Sequence, residues 1–166
     1  MTRSDDGFHR KDHKMNFLKT VIAAAVFVLA SFMPAVGVQA QDARPGLFVN
    51  LTTDDTWAAA KAIMFAHQKA LKNDHKPVVI WLNVRGVYLA DKKRASHVHG
   101  LMREQNASIQ DMLTAFMEDG GIVLMCQACS AAAGLTRDDY IDGVQMGSWP
   151  VIEGYLFDPA MKTLSW

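Results

Sequence analysis

Two stretches of the chain are apolar at every position, and they narrow the possible folds more than any other feature. Pro77-Val-Val-Ile-Trp-Leu82 and Ile122-Val-Leu-Met125 lack the in-out alternation of a strand with one wet face. Strands of this kind are buried on both faces, which is the situation of a parallel sheet covered by helical crossovers. The segments around them fit that arrangement. Gly46-Leu-Phe-Val-Asn-Leu51 reads as a first strand, and Thr52-Thr53-Asp54 offers side chains that can cap a helix over 55–72. That helix carries Ala60, Ile63, Met64, His67 and Leu71 on one face, so His67 reads as a packed histidine and not a ligand. A second helix opens at Ser108 with Asp111 three residues on, repeats apolar residues from Ile109 to Met117, and stops at Gly120-Gly121.

The last third is less regular. Residues 136–142 and 150–157 read as short helices and 162–166 as a final strand. Some 25 residues separate the second strand from the Ser108 helix, a length that predicts an extra short helix or a functional loop. The fold class expected is α/β: a three-layer sandwich with a mainly parallel sheet of about five strands and helices on both faces.

The N-terminus reads as an export signal rather than as part of this fold. Basic Lys14 and Lys19 precede an apolar run over 21–33, and the small-residue exit Val38-Gln39-Ala40 predicts cleavage before Gln41. The run is shorter than the roughly 20 residues that span a bilayer, and Pro34 and Gly37 follow it, so no membrane span is expected after cleavage. Met15 directly precedes the signal and is an alternative start. The expected organisation is a signal peptide over 1–40 and a single domain over 41–166, located in the periplasm.

Charge excludes some functions. Of 17 basic and 17 acidic residues, five basic (Arg3, Arg10, Lys11, Lys14, Lys19) and three acidic (Asp5, Asp6, Asp12) precede Gln41, leaving 12 against 14 in the domain. A slightly acidic domain has no basic surface that calls for nucleic acid or anionic lipid. Seven of the ten Met and all four Trp lie after residue 40, more apolar material than a core of this size needs, and a subunit interface is one way to cover it.

Both cysteines lie in the domain as Cys126-Gln-Ala-Cys129. A loop this small removes little entropy from the unfolded chain, so redox or sulfur chemistry explains the pair better than stapling does. Ligands of parallel α/β sheets bind beyond the carboxyl ends of strands. Three stretches fall there, and they supply the candidate site: Thr52 and Thr53 after the first strand, Asn83, Arg85 and Gly86 after the second, and Cys126, Gln127 and Cys129 after the third. If Cys126 begins a helix, free N–H groups favour its thiolate, making it the nucleophile with Cys129 one turn along to resolve it. A c-type haem needs His after the second cysteine, and Ser130 stands there. A thioredoxin-like dithiol would follow an early strand instead of the third. His97, His99, Met102 and Met125 could add soft ligands, but the cysteines alone make only half of a tetrahedral zinc site, so neither metal nor cofactor is expected.

The order and spacing of four passages resemble the DsrE/DsrF-like sulfur-relay family: Gly46-Leu-Phe-Val-Asn-Leu51, the Gly86-Val87 turn, Gly120-Gly121 followed by Ile122-Val-Leu-Met125-Cys126, and Tyr140-Ile-Asp-Gly143-Val144. The resemblance covers 46–166. It implies a small α/β sandwich that assembles as a trimer or a multiple of it, and a cysteine at the Cys126 position that carries sulfur as a persulfide. Many members have Arg-Gly one helix-length after that cysteine, where this chain has Ala133-Gly134. The function expected is sulfur handling, as sulfurtransferase or sulfur carrier, through Cys126 and Cys129. Its partner would be a small sulfur compound or a sulfur-carrier protein. The alternative is a non-catalytic module holding a metal ion or small anion near Arg85 and the cysteines.

Overall fold

A computed structural model describes residues 44–94 and 106–166 of the chain. Five strands make one parallel sheet: β1 (Gly46–Leu51), β2 (Val78–Leu82), β3 (Ile122–Cys126), β4 (Gln145–Gly147) and β5 (Met161–Ser165), in the spatial order β4-β3-β2-β1-β5. Leu47 pairs with Val78 and Leu82 with Met125, so Asn83 and Cys126 follow at the same level of the sheet. The parallel sandwich read from the sequence is the observed fold.

Among the described residues four α-helices accompany the strands: α1 (Thr56–Met64), α2 (Ile109–Glu118), α3 (Gln127–Ala132) and α4 (Trp149–Leu156). The cap of α1 differs from expectation. Asp55, not the three residues before it, accepts the N–H of Ala58 at 2.8 Å. The expected single helix over 55–72 continues past Met64 as a π-helical turn, Phe65–Ala70, and a 3₁₀ turn, Leu71–Asn73. His67 lies in that π segment, buried against the ring of Phe116, with Nε2 2.6 Å from Asp119 Oδ2. The Ser108 start is a full capping box with Asp111, and Gly120 leaves α2 at φ +95°, where a side chain would be strained. Residues 136–142 form one 3₁₀ turn (Arg137–Asp139) where a helix is expected, and the long connection opens with a 3₁₀ segment, Val84–Ala90. Strand β4, three residues long, has no counterpart in the sequence reading.

Chain direction explains the layering. From β1 to β4 every crossover steps the same way across the sheet, and right-handed connections then put their helices on one face. The connection from β4 to β5 runs back past the whole sheet, so its helix, α4, belongs on the other. Two apolar clusters match this. The larger joins Val49, Ile80 and Met125 to Ile63 of α1 and Phe116 of α2. The smaller joins Phe48, Val79 and Leu124 to Ile152 of α4. Adjacent residues of β2 and β3 serve opposite clusters, which is why those two sequences are apolar throughout. Among the described residues, no helix is long and apolar enough to cross a membrane.

Candidate functional site

Neighbouring strands β3 and β4 send their outgoing connections to different elements: β3 runs into α3, and β4 into α4 on the opposite face. A crevice opens at such a reversal, beyond the carboxyl ends of the strands. Here it is a cavity of about 570 Å³. Cys126, Gln127, Ala128 and Ala131 form one side, Trp149 and Ile152 the other, with Trp81, Asn83 and Gly147 at the sheet edge. None of these side chains is charged. Trp81 also packs on Phe48, and its buried indole N–H has no hydrogen-bond partner among the described residues.

Cys126 is the N-cap of α3, with extended backbone (φ −62°, ψ 111°), and is 8% exposed. Its Sγ accepts the N–H of Cys129 at 3.3 Å. The two cysteines, 5.2 Å apart at Cα, are joined as a disulfide. Cys129 is partly buried and faces the end of β2: the Val84 N–H points at its Sγ from 3.3 Å, and Asn83 Oδ1 lies 3.1 Å away. Each sulfur therefore has one backbone donor, whereas the sequence reading reserves such support for Cys126. Once the disulfide is reduced, the Cys129 N–H favours the thiolate at Cys126, whereas Cys129 faces both the Val84 donor, which favours its thiolate, and the Asn83 oxygen, which accepts from its thiol.

The Val84 donor depends on an unusual backbone. Val84 sits at φ +50°, a region that β-branched residues avoid at a cost of about 1–3 kcal/mol. Its N–H is aimed between two acceptors, Asn83 Oδ1 at 2.8 Å and Cys129 Sγ. Asn83 is steadied in turn by its amide, which donates to Asn50 Oδ1 at 3.3 Å. Behind the cysteines, buried Ser130 donates to the Cys126 carbonyl at 2.7 Å and accepts from the Tyr140 hydroxyl at 2.7 Å. This chain ties the first turn of α3 to the core, and burial pushes the Tyr140 hydroxyl to a higher pKa.

The other candidate residues take separate places. Asn83 and Gln127 line the cavity with Cys126. Thr52 does not: its hydroxyl donates to the Trp166 carbonyl at 2.6 Å, clamping the end of β5. Thr53 Oγ1 accepts the Asp55 N–H at the start of α1. Gly86 is needed for contact, since a Cβ there would strike the Leu51 carbonyl oxygen. Arg85 forks onto Asp54 at 2.8 and 2.9 Å, while Arg94 reaches the same carboxylate at 2.7 Å. Both guanidinium groups lie over the Tyr88 ring. His97, His99 and Met102 fall outside the described residues, and among those described no three His, Cys, Asp or Glu stand together as a metal site. Trp81, Gly147, Trp149 and Ile152 were not candidates on sequence, because nothing local says that β2, β4 and α4 converge on Cys126.

Asp54 carries a pH dependence. The Arg85 hydrogen bonds, helped by Arg94 and opposed by burial, hold its carboxyl well below the ordinary carboxylate range. A depressed pKa means that the stabilisation is complete above the unfolded value near 4 and is lost as pH falls below it. Asp54→Asn should therefore melt several degrees below wild type at pH 7, with the gap closing below about pH 4. Thermal unfolding at a series of pH values measures this as a difference, which cancels the similar titration of Asp111, Asp119 and Asp139. A gap independent of pH would sink the assignment.

Against known proteins, the model of the DsrE/DsrF-like family matches residues 47–160. The chain belongs to the DsrE/DsrF-like family. Two solved structures share the fold. The ychN protein from E. coli superposes with a TM-score of 0.60 at 14% identity, covering 74% of this chain and 99% of that one. MTH1491 from Methanobacterium thermoautotrophicum, described as a protein of unknown function, does so with a TM-score of 0.53, again at 14% identity and with the same coverage. No curated protein sequence matches this chain. For a DsrE/DsrF-like chain, sulfur relay is the function that family membership suggests, and the cysteine pair is its chemical counterpart here.

Proposed function

We propose that this protein handles sulfur in the periplasm, after loss of its leader, by carrying sulfane sulfur or exchanging thiols and disulfides at Cys126, with Cys129 as the resolving thiol. The observation that carries the reading is the pair itself: two sulfurs close enough to bond, that of Cys126 lining a cavity, each with a backbone N–H aimed at it. In the reduced protein, the Cys126 thiolate attacks the terminal sulfur of a polysulfide. A new S–S bond forms on Cys126, the polysulfide S–S bond breaks, and the shortened polysulfide leaves with the electron pair. The Cys129 thiolate then attacks Cys126 Sγ, forming the Cys126–Cys129 disulfide and expelling the outer sulfur as hydrosulfide. A dithiol reductant returns both thiols, so activity requires prior reduction in an oxidising compartment.

The anion-binding alternative draws no support from Arg85, whose fork is filled by Asp54. Intact mass spectrometry tests the proposal. Reduced protein mixed with polysulfide should gain the mass of one sulfur atom transiently and end as the disulfide. Unchanged mass together with two free thiols would refute sulfur handling. The N-terminal residue of the exported protein and its mass by light scattering read the other two parts of the proposal: a start at Gln41, and a homo-oligomer, a trimer or a multiple of it.

A further inference from the structure

We infer that the cavity beside Cys126 selects uncharged organic sulfur donors, compounds whose reactive sulfur bears an apolar aryl or branched alkyl group, over inorganic or anionic ones. The inference rests on the sulfur-handling reading and names the substrate class for the same site.

Three observations support it. The cavity is about 570 Å³, within the ~300–1,000 Å³ typical of small-molecule sites and far more than a lone sulfur atom or a short polysulfide requires. Its walls are aromatic and aliphatic, with Trp81, Trp149, Ile152, Ala128 and Ala131 around the thiol, and no lining side chain is charged. An anion leaving water for this wall would meet no cation, since the nearby Arg85 is turned to Asp54, whereas an apolar group would displace water from apolar surface. Finally, Trp149 is 57% exposed although it lines the cavity, so a large flat side chain on the wall has area left to cover. A ring bound there would stack on it.

The chemistry balances without an outside oxidant. In a thiosulfonate R–S–SO2–CH3, the Cys126 thiolate attacks the sulfur bearing R. The new bond is Cys126 Sγ–S–R, the S–SO2 bond breaks, and methanesulfinate leaves with the electron pair.

Two reagents with the same leaving group isolate the role of R: benzyl methanethiosulfonate and 2-sulfonatoethyl methanethiosulfonate. Their rates on reduced Cys129→Ser protein, where only Cys126 can react, are each divided by the rate on N-acetylcysteine. The benzyl reagent should then be favoured at least tenfold. Replacing Trp149 by Ala in that background should bring the preference below about threefold, and because Trp149 is largely exposed the change leaves the core intact. Ala128→Lys, also at an exposed wall position, should raise the relative rate of the anionic reagent at least tenfold. Equal normalised rates, or a preference indifferent to both substitutions, would overturn the selectivity and leave sulfur handling standing. Failure of both reagents to label Cys126 would overturn the sulfur-handling reading and this inference with it.

Discussion

In Cys129→Ser, a sulfur adduct formed from polysulfide should persist for the length of the measurement, and in Cys126→Ser it should fall more than tenfold or vanish. The asymmetry follows from position, since both sulfurs have a backbone N–H donor. Cys126 lines the cavity, where a donor can reach it. Cys129 faces the other way, into the turn made by Asn83 and Val84. Removing Cys129 deletes the thiol that would attack Cys126 Sγ, so the persulfide has no intramolecular route to hydrosulfide. Removing Cys126 deletes the sulfur that is loaded. Intact mass at timed intervals, with alkylation to count thiols, distinguishes the variants. Normal loading of Cys126→Ser together with no loading of Cys129→Ser would reverse the roles; indifference to both changes would make the pair structural.

Gly86→Ala should destabilise the fold by about 2–3 kcal/mol, which is roughly a 30- to 150-fold change in the folding equilibrium and about 5–10 °C in Tm. The added Cβ would drive into the Leu51 carbonyl oxygen. That carbonyl cannot simply swing aside, because it accepts the Asn83 N–H at 2.9 Å, and the Gly86 N–H in turn holds the Asn83 carbonyl at 2.8 Å. Relief of the clash therefore has to move the Asn83–Gly86 turn, which keeps Val84 at positive φ with its N–H on Cys129. Two readouts should change together. Urea or thermal unfolding should show the loss of stability, and after reduction the pH midpoint for alkylating Cys129 should shift, because the turn carries both the Val84 donor and the Asn83 acceptor that contact its sulfur. A Tm within a degree or two of wild type would contradict the contact. A large loss of stability with unchanged Cys129 titration would separate the turn from the sulfur chemistry.

Much of this architecture is written in short stretches whose behaviour is decided nearby. The runs over 78–82 and 122–125 are apolar at every position because each residue faces one of two cores, and that pattern by itself implies a parallel sheet. Ser108 and Asp111 cap α2 through contacts three residues apart, and Gly120 ends it by conformation. The cysteine pair, its place at the end of β3 and the family likeness were legible for the same reason. Where the reading slipped, the interactions were equally local but nearly balanced: Asp55 rather than Thr53 or Asp54 caps α1, since all can accept a backbone N–H and only the chain path out of β1 chooses.

The site divides differently. Residue order placed Thr52, Thr53, Asn83, Arg85, Gly86, Cys126, Gln127 and Cys129 at one edge of the sheet, but it could not say which of them share a cavity. That depends on the strand order β4-β3-β2-β1-β5, and the order depends on β4, whose three residues are too few to show any period. Once β4 lies beside β3 and α4 must return over the opposite face, the crevice opens at Cys126 and gathers Trp81, Trp149 and Ile152 from distant parts of the chain. The same packing brings Asp54 within reach of Arg85 and Arg94, whose guanidinium groups it occupies. Composition and spacing thus determined the parallel α/β class, the longer strands and helices and the place of the cysteine pair, because those follow from burial and hydrogen bonding within a few residues. Only the tertiary structure decided what surrounds the sulfur, because that environment is made of contacts between segments that no local pattern couples.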